Sequence, residues 1–366
     1  MIGSVATAHA ISILLLLAAW GARAQDSLRV PLENGGFDST YVVDYTHLLT
    51  ARAYFSTKFN AVDVDDRRVG SHIEYRPNTN VNFGVGASYR ALTLNLGVGV
   101  PALNRDDSLR GSTSYIDAQG NMYGRRFAIN LFAQLYRGYY IDQLSFADFD
   151  DLAPVYTQAL AQDRLRPDIR QRNLGATVLH IRNNRRFSYR AAFNQDAWQR
   201  KSAGSWLVGG NLVYQGVRAE RSVIPDAVDS LWRAPLRFRR IDQVELGAMG
   251  GYAHTFVIHR HVYLSFTACL GLGLVRSVIQ EAGGDEGYQR RVHWGPNLRS
   301  QGRVAAGSNS ARTNVGLSYV NEQSQTGLAP EAVYGWSVGN FRIFFVRRFG
   351  VKLSAVDAVM RRLGRL

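Results

Sequence analysis

The most chemically suggestive stretch of the sequence runs from Phe193 to Trp206 and holds an acid and two bases. Asp196, Arg200 and Lys201 could present a charged patch to a polar ligand. The stretch also ends in the small residues Ser-Ala-Gly-Ser, which are typical of a chain reversal. Its tryptophans would then anchor a turn at a membrane interface. We favour the turn and keep the three charged residues as candidate ligand contacts.

Other candidate ligand-binding residues are basic and lie on the polar faces of segments that alternate apolar and polar residues. These are Arg52, Lys58, Arg90, Arg126 and Arg190. If those faces line an internal channel, its wall is cationic and favours anions. We therefore predict a ligand site at the lumen or at its rim.

Two groups of residues suggest catalysis or metal binding only weakly. Asp44 and His47 could do acid–base chemistry, but the start of an inward-facing strand is the better interpretation. His254, His259 and His261 could bind a metal, but no carboxylate or cysteine accompanies them, which favours an exposed turn. We predict no catalytic residue, no metal site and no cofactor.

The N-terminus has the pattern of a secretory signal peptide over residues 1–24. Ile11–Trp20 is a short apolar segment, and Ala22-Arg23-Ala24 has the small-residue pattern of a cleavage site. We predict export with cleavage after Ala24, followed by a periplasmic segment at 25–43. Later in the chain no run of about 18 apolar residues predicts a transmembrane helix.

Charge and cysteine content favour an envelope protein. The formal net charge is +14, and in an exported chain this favours anionic membrane lipid and lipopolysaccharide as partners. The basic residues are scattered and carry no nucleic-acid-binding motif, so we predict no nucleic-acid partner. Cys269 is the single cysteine, which excludes an internal disulfide. A large core or a membrane must then stabilise the exported chain.

The dominant pattern along the chain is an alternation of apolar and polar residues, which predicts β-strands. The runs cover 49–59, 83–90, 92–100, 127–136, 171–181, 186–197, 206–217, 243–257, 261–276, 311–320 and 333–349. Transmembrane strands need about 9–11 residues, whereas strands of soluble proteins average about 5–6. These runs are long, and small residues fill the face opposite the apolar one. We predict an all-β fold, an antiparallel transmembrane β-barrel of about 12–14 strands over 44–349 in the outer membrane.

The end of the barrel region carries a further signal. The run Phe341–Phe349 places Phe341, Ile343, Phe345 and Phe349 in alternation and ends on an aromatic residue. It resembles the signal that delivers barrel proteins to the membrane-insertion machinery, which is therefore a predicted partner. A basic tail at 350–366 follows, either as an interfacial helix or as a frayed end.

Several blocks of the sequence resemble an uncharacterised family, the domain-of-unknown-function family 4421. They are DYTHLLTARAYFSTKFN (44–60), EYRPNTNVNFGVGASYRALTLNLGVGVP (74–101), YGRRFAINLFAQLYRGYYI (123–141), RPDI (166–169) and FSYRAAFNQDAWQRKSAGSWLVGG (187–210). The resemblance covers about 40 to 350. It implies an exported barrel in the Gram-negative envelope of Bacteroidota-type bacteria, and it implies no activity or site residue.

Three functions remain open at this point. The leading one is a porin-like, non-enzymatic outer-membrane β-barrel for binding or passage of small solutes, anions included, or for envelope structure. The second is a barrel-borne hydrolase acting on envelope lipid or glycan, which predicts a Ser/His/acid cluster at one rim. The third is a soluble exported β-protein that binds polyanions, which predicts charges in the middle of the outward strand faces.

Overall fold

The computed structural model describes residues 36–79, 81–90, 92–100, 107–146, 163–283, 287–351 and 353. The predicted signal peptide, most of the 25–43 segment and nearly all of the basic tail lie outside these ranges. The strands are β1 (Val42–Asp44), β2 (Leu49–Asp66), β3 (Ser71–Arg76), β4 (Val81–Tyr89), β5 (Leu92–Gly99), β6 (Ser114–Tyr123), β7 (Phe127–Ser145), β8 (Leu165–Ile181), β9 (Ala197–Gln199), β10 (Ala203–Arg218), β11 (Phe238–Ile258), β12 (Val262–Gly283), β13 (Gly287–Asn309), β14 (Thr313–Ala329) and β15 (Ala332–Phe349). Short helices cover Asp107–Arg110 and Tyr189–Phe193, and 3₁₀ helices cover Asp226–Leu231 and Ala234–Leu236. Within the described ranges, no helix is long and apolar enough to cross a membrane.

All strands except β1 and β9 form one antiparallel sheet of 13 strands that closes on itself. Closure joins the last strand to the first barrel strand, from Ala332 opposite Asp66 to Phe349 opposite Leu49. This ladder leaves β2 and β15 with no free edge, which is the requirement for strands in a membrane. The predicted all-β antiparallel barrel is confirmed; its closed circuit contains ten strands, fewer than the predicted 12–14, and β4, β5 and β6 bring the sheet to 13 strands.

The wall strands present an apolar face outward and a polar face inward. Outward side chains in mid-strand are large and apolar, such as Leu246 on β11 and Leu272 on β12, which are 67% and 72% exposed. Inward positions of the same region carry buried Asn211, Gln243 and Glu245. An exposed apolar belt around a polar interior is the pattern of a transmembrane β-barrel.

Buried side chains fill the lumen at both ends. At the end where β2 begins and β15 finishes, here called the terminal end, residues 37–48 and 182–202 form a plug in which β1 pairs with β9. At the opposite, distal end, the segment 219–237 folds inward. Its Val223, Val228 and Leu236 pack in a fully buried cluster with Tyr75 of β3.

The predicted strand over 186–197 is wrong. This run forms part of the plug and holds the short helix Tyr189–Phe193. Phe187, Tyr189 and Ala192 are all buried. A wall strand exposes every second side chain to lipid, whereas this run is enclosed on both faces by the lumen.

The wall has a discontinuity between β5 and β6, here called the wall gap. Near the distal end β3 alone bridges β2 and β7. Toward the terminal end β3 is replaced by β4 and β5 on the side of β2, and by β6 on the side of β7. No strand pairing joins β5 to β6 in the part of the chain that the structure describes.

Candidate functional site

A cavity of about 1260 Å³ opens at the wall gap. Its lumenal lining includes Arg52, Tyr54, Lys58, Asn340 and Arg342. Its lining also includes residues at outward positions of the wall strands, namely Leu94, Leu96, Leu131 and Leu174. Because residues of both faces border one cavity, it connects the lumen with the outer surface of the barrel.

The cationic part of this cavity is built by strand alternation and by barrel closure. Arg52, Tyr54 and Ser56 follow each other on the inward face of β2, where all three are buried. Closure places Arg342 of β15 opposite Ser56. The Arg342 guanidinium carbon then lies 4.6 Å from the centroid of the Tyr54 ring, at cation–π distance.

Arg52 and Arg342 are the cations of this cavity that have no carboxylate partner; Arg303 and Arg348, elsewhere in the lumen, also form no ion pair within the described ranges. Arg52 Nη2 donates to the Asn194 carbonyl oxygen at 3.0 Å and to the Ser88 hydroxyl. Within the described ranges, neither guanidinium forms an ion pair, and the Nε of each is buried without a hydrogen-bond partner. Two positive charges therefore lie in this cavity without a carboxylate against either of them.

Neighbouring cations are neutralised by carboxylates. Lys58 Nζ lies 3.1 Å from Asp117 Oδ2, and this contact ties β2 to β6 behind the wall gap. Deeper in the lumen, Arg299 Nη2 lies 2.5 Å from Glu245 Oε2, and its Nη1 lies 2.6 Å from Glu322 Oε1. Because Lys58 and Arg299 already lie against carboxylates, Arg52 and Arg342 are the better anchors for an anion.

The predicted site residues divide between cavity and turns. Arg52 and Lys58 lie on the inward face of β2 and line the cavity, as their strand pattern predicts. Arg90 lies in the β4–β5 turn with a φ of 57°. Arg126 is exposed in the β6–β7 turn. The predicted strand-face position is therefore wrong for Arg90 and Arg126, because each strand ends one or more residues before them.

Arg190 and Asp196 pair with each other inside the plug. Arg190 belongs to the plug helix rather than to a strand face, and its Nη2 lies 2.9 Å from Asp196 Oδ2. Its Nη1 lies 3.7 Å from Asp44 Oδ2. Burial lowers the pKa of the Arg190 guanidinium, but the contact with Asp196 more than offsets this and raises it. These residues hold the plug helix against β1.

Arg200 and Lys201 also lie in the plug, at the terminal end of the barrel. The Arg200 guanidinium carbon lies 5.5 Å from the Trp198 ring, and Lys201 Nζ lies 5.3 Å from the Tyr41 ring. Neither lines the cavity at the wall gap. The structure therefore does not bring the charged residues of Phe193–Trp206 together at one ligand site.

Sequence reasoning missed Arg342, although the signal was present. Arg342 stands between Phe341 and Ile343, whose outward apolar side chains place it on the inward face by the two-residue period of a strand. Its proximity to Tyr54 depends on the ladder between β15 and β2, which joins residues far apart in the chain. The alternation therefore predicts that the Arg342 side chain points inward. Its contact with Tyr54 follows only from closure of the barrel.

A second cluster that sequence reasoning missed lies toward the distal end. Asp63, His72 and Glu74 each offer a ligand atom, and these atoms lie within 4.8 Å of one another. However, Arg76 Nε lies 2.5 Å from Glu74 Oε1, and His72 Nδ1 lies 2.7 Å from Asp65 Oδ1. His72 and Glu74 thus already pair with oppositely charged groups outside the cluster.

Two features bear on hydrolase chemistry. Gly335–Gly339 has the Gly-x-Ser-x-Gly spacing of a nucleophile motif. It lies inside β15, whereas that motif requires a sharp turn from a strand into a helix. The His72–Asp65 contact resembles part of a triad, but no hydroxyl or thiol of the described residues hydrogen-bonds to His72. Neither feature assembles a nucleophile, base and acid in this part of the chain.

Comparison with known proteins gives a family and weak structural likenesses. The family model described as "Domain of unknown function (DUF4421)" matches residues 37–349. No curated protein matches the chain. Similar solved structures include the translocator domain of autotransporter NalP from Neisseria meningitidis, with 8% identity, a TM-score of 0.29 and coverage of 95% of this chain and 98% of that chain. OmpT of Vibrio cholerae gives 8% identity, a TM-score of 0.27 and coverage of 81% of this chain and 98% of that chain.

The family match spans most of the chain and confirms the predicted resemblance. This chain therefore belongs to the family described as domain of unknown function DUF4421.

Proposed function

We propose that this protein is an outer-membrane β-barrel that binds a small anionic ligand in the cavity at the wall gap, without catalysing its conversion. The observation that carries the proposal is the pair Arg52 and Arg342, which line the cavity without a carboxylate partner in the described part of the chain. A buried charge without a partner is unfavourable. An anion bound between the guanidinium groups would supply the missing charge-assisted hydrogen bonds.

The filling of the lumen supports binding over free axial diffusion. The plug occupies the terminal end with buried side chains such as Phe187 and Tyr189. The cluster around Val223 and Trp232 occupies the distal end. An open porin instead keeps a water-filled channel along its axis. A solute crossing this barrel along the axis would have to displace packed side chains at both ends.

Calorimetric titration of phenyl phosphate tests the proposal on the purified full chain in neutral detergent. Arg342→Gln removes one cavity charge, and we expect the affinity to fall about 10- to 100-fold, since a hydrogen bond to a charged group is worth about 1.5–3 kcal/mol. Arg347→Gln is the matched control, because Arg347 lies on the same strand but is exposed on the outer face. Equal affinity of the wild type and Arg342→Gln would refute the proposal.

A further inference from the structure

The edges of β5 and β6 face each other within the apolar belt of the barrel. Large exposed apolar residues flank the gap on both sides, including Leu96 and Val98 on β5 and Ile116 on β6. Unpaired backbone groups are not tolerated against hydrocarbon, but they are tolerated where they line a water-filled cavity. The edges of β5 and β6 border such a cavity.

The surfaces of the wall gap change from polar to apolar across the wall. At inward positions its strands carry exposed polar residues, namely Asn95 on β5 and Gln119 and Asn121 on β6. At outward positions the same strands carry leucine, valine and isoleucine. A molecule that spans the gap therefore meets polar groups at its inner part and apolar groups at its outer part.

The cavity is large enough for more than a simple anion. Its volume of about 1260 Å³ exceeds the range of about 300–1,000 Å³ that is usual for sites of small organic ligands. Arg52 and Arg342 lie at its lumenal side, and Leu94, Leu131 and Leu174 lie at its outer side. The cavity thus has a cationic region at its lumenal side and an apolar region at its outer side.

Resting on the proposed function, we infer that the anionic ligand is a single-chain amphiphile with an acidic headgroup, and that it moves between the membrane and the cavity through the wall gap. The headgroup lies against Arg52 and Arg342, and the chain lies at the outer side of the cavity against Leu94, Leu131 and Leu174. The wall gap is thus a lateral entrance for a ligand drawn from the membrane.

Fluorescence of dansyl-labelled undecanoic acid tests the inference with the full chain in phosphatidylcholine vesicles. Dansylglycine carries the same fluorophore and a carboxylate but no alkyl chain, and it serves as the soluble anion. Gly97→Phe and Gly120→Phe obstruct the gap. The new Cβ atoms have room, with nearest contacts of 3.5 Å to the Tyr54 hydroxyl and 3.8 Å to Leu131 Cβ. Gly302→Phe is the matched control on the continuous wall, where a Cβ meets nothing within 4 Å.

We expect the undecanoic acid probe to bind more tightly than dansylglycine. Its association rate should fall at least about tenfold in the gap variants and stay unchanged in Gly302→Phe, while Arg342→Gln lowers its affinity about 10- to 100-fold. If Arg342→Gln weakens both probes equally and the gap variants change no rate, anion binding stands and the lateral entrance is refuted. If Arg342→Gln changes neither probe, the proposed function and the inference both fail.

Discussion

At the scale of single residues, the arginine side chains of the lumen differ in whether a carboxylate lies against them. Arg299 lies between Glu245 and Glu322 and is almost fully buried. Arg342 lies on a neighbouring part of the lumen and stacks on Tyr54 without an ion pair in the described part of the chain. The first arrangement stabilises the barrel interior, whereas the second leaves a charge available to a ligand.

This difference predicts opposite effects of two similar substitutions. Arg299→Gln leaves two buried carboxylates without their counter-charge, and we expect a loss of about 3–5 kcal/mol in the free energy of unfolding. Arg342→Gln breaks no ion pair, so its free energy of unfolding should stay within about 1 kcal/mol of the wild type. Urea unfolding in lipid vesicles, followed by tryptophan fluorescence, measures both. A similar loss in the two variants would contradict the distinction.

At the scale of elements, the plug closes the terminal end of the barrel. Trp198 of β9 donates a hydrogen bond to the Arg260 carbonyl oxygen at 2.8 Å, and Asn309 donates to the Ala197 carbonyl oxygen at 3.0 Å. The wall strands on either side of the insertion pair directly, from Ile181 opposite Leu207 onward. The plug segment 182–202 is therefore an insertion between two wall strands that pair directly with each other.

Replacing 187–199 and the distal segment 219–237 together by Gly/Ser linkers of equal length should open both ends of the lumen. We expect single-channel conductance in planar bilayers to rise several-fold, with reversal potentials that indicate anion preference, because Arg52, Arg342 and Arg348 then face an aqueous lumen. Replacing the turn 259–261 by Gly/Ser residues is the control and should leave conductance low. Unchanged conductance would show that these two segments do not close the barrel, and cation preference would contradict a cationic lumen.

At the scale of the whole molecule, the closing ladder between β2 and β15 determines how the barrel resists denaturation. Folded barrels of this kind resist SDS until they are boiled, and here the closing ladder leaves β2 and β15 without a free edge at which unfolding could start. We expect the mature chain in the outer-membrane fraction, with a gel mobility that shifts on boiling. A chain that lacks Phe341–Phe349 cannot form the half of the β2–β15 ladder at the terminal end and should show no shift. A soluble wild-type chain without a shift would overturn the membrane assignment.

The sequence by itself determined the class of fold and the face of each wall residue. A strand has a side-chain period of two, so that Phe55 and Arg52 must lie on opposite faces wherever β2 pairs. The long alternating runs, the small inward residues and the family resemblance then leave a transmembrane barrel as the best interpretation. The inward position of Arg342 follows from the same rule.

Only the tertiary structure decided which alternating run is not wall and where the wall is open. The run 186–197 has the same pattern as a wall strand, but contacts with β1 and with turns far along the chain enclose it in the lumen. The wall gap arises because β3 bridges β2 and β7 at one end only, which depends on pairings between residues distant in sequence. The juxtaposition of Arg52, Tyr54 and Arg342 likewise depends on closure of β15 onto β2. Local alternation carries no information about such non-local pairings, so the candidate site became visible only in the folded barrel.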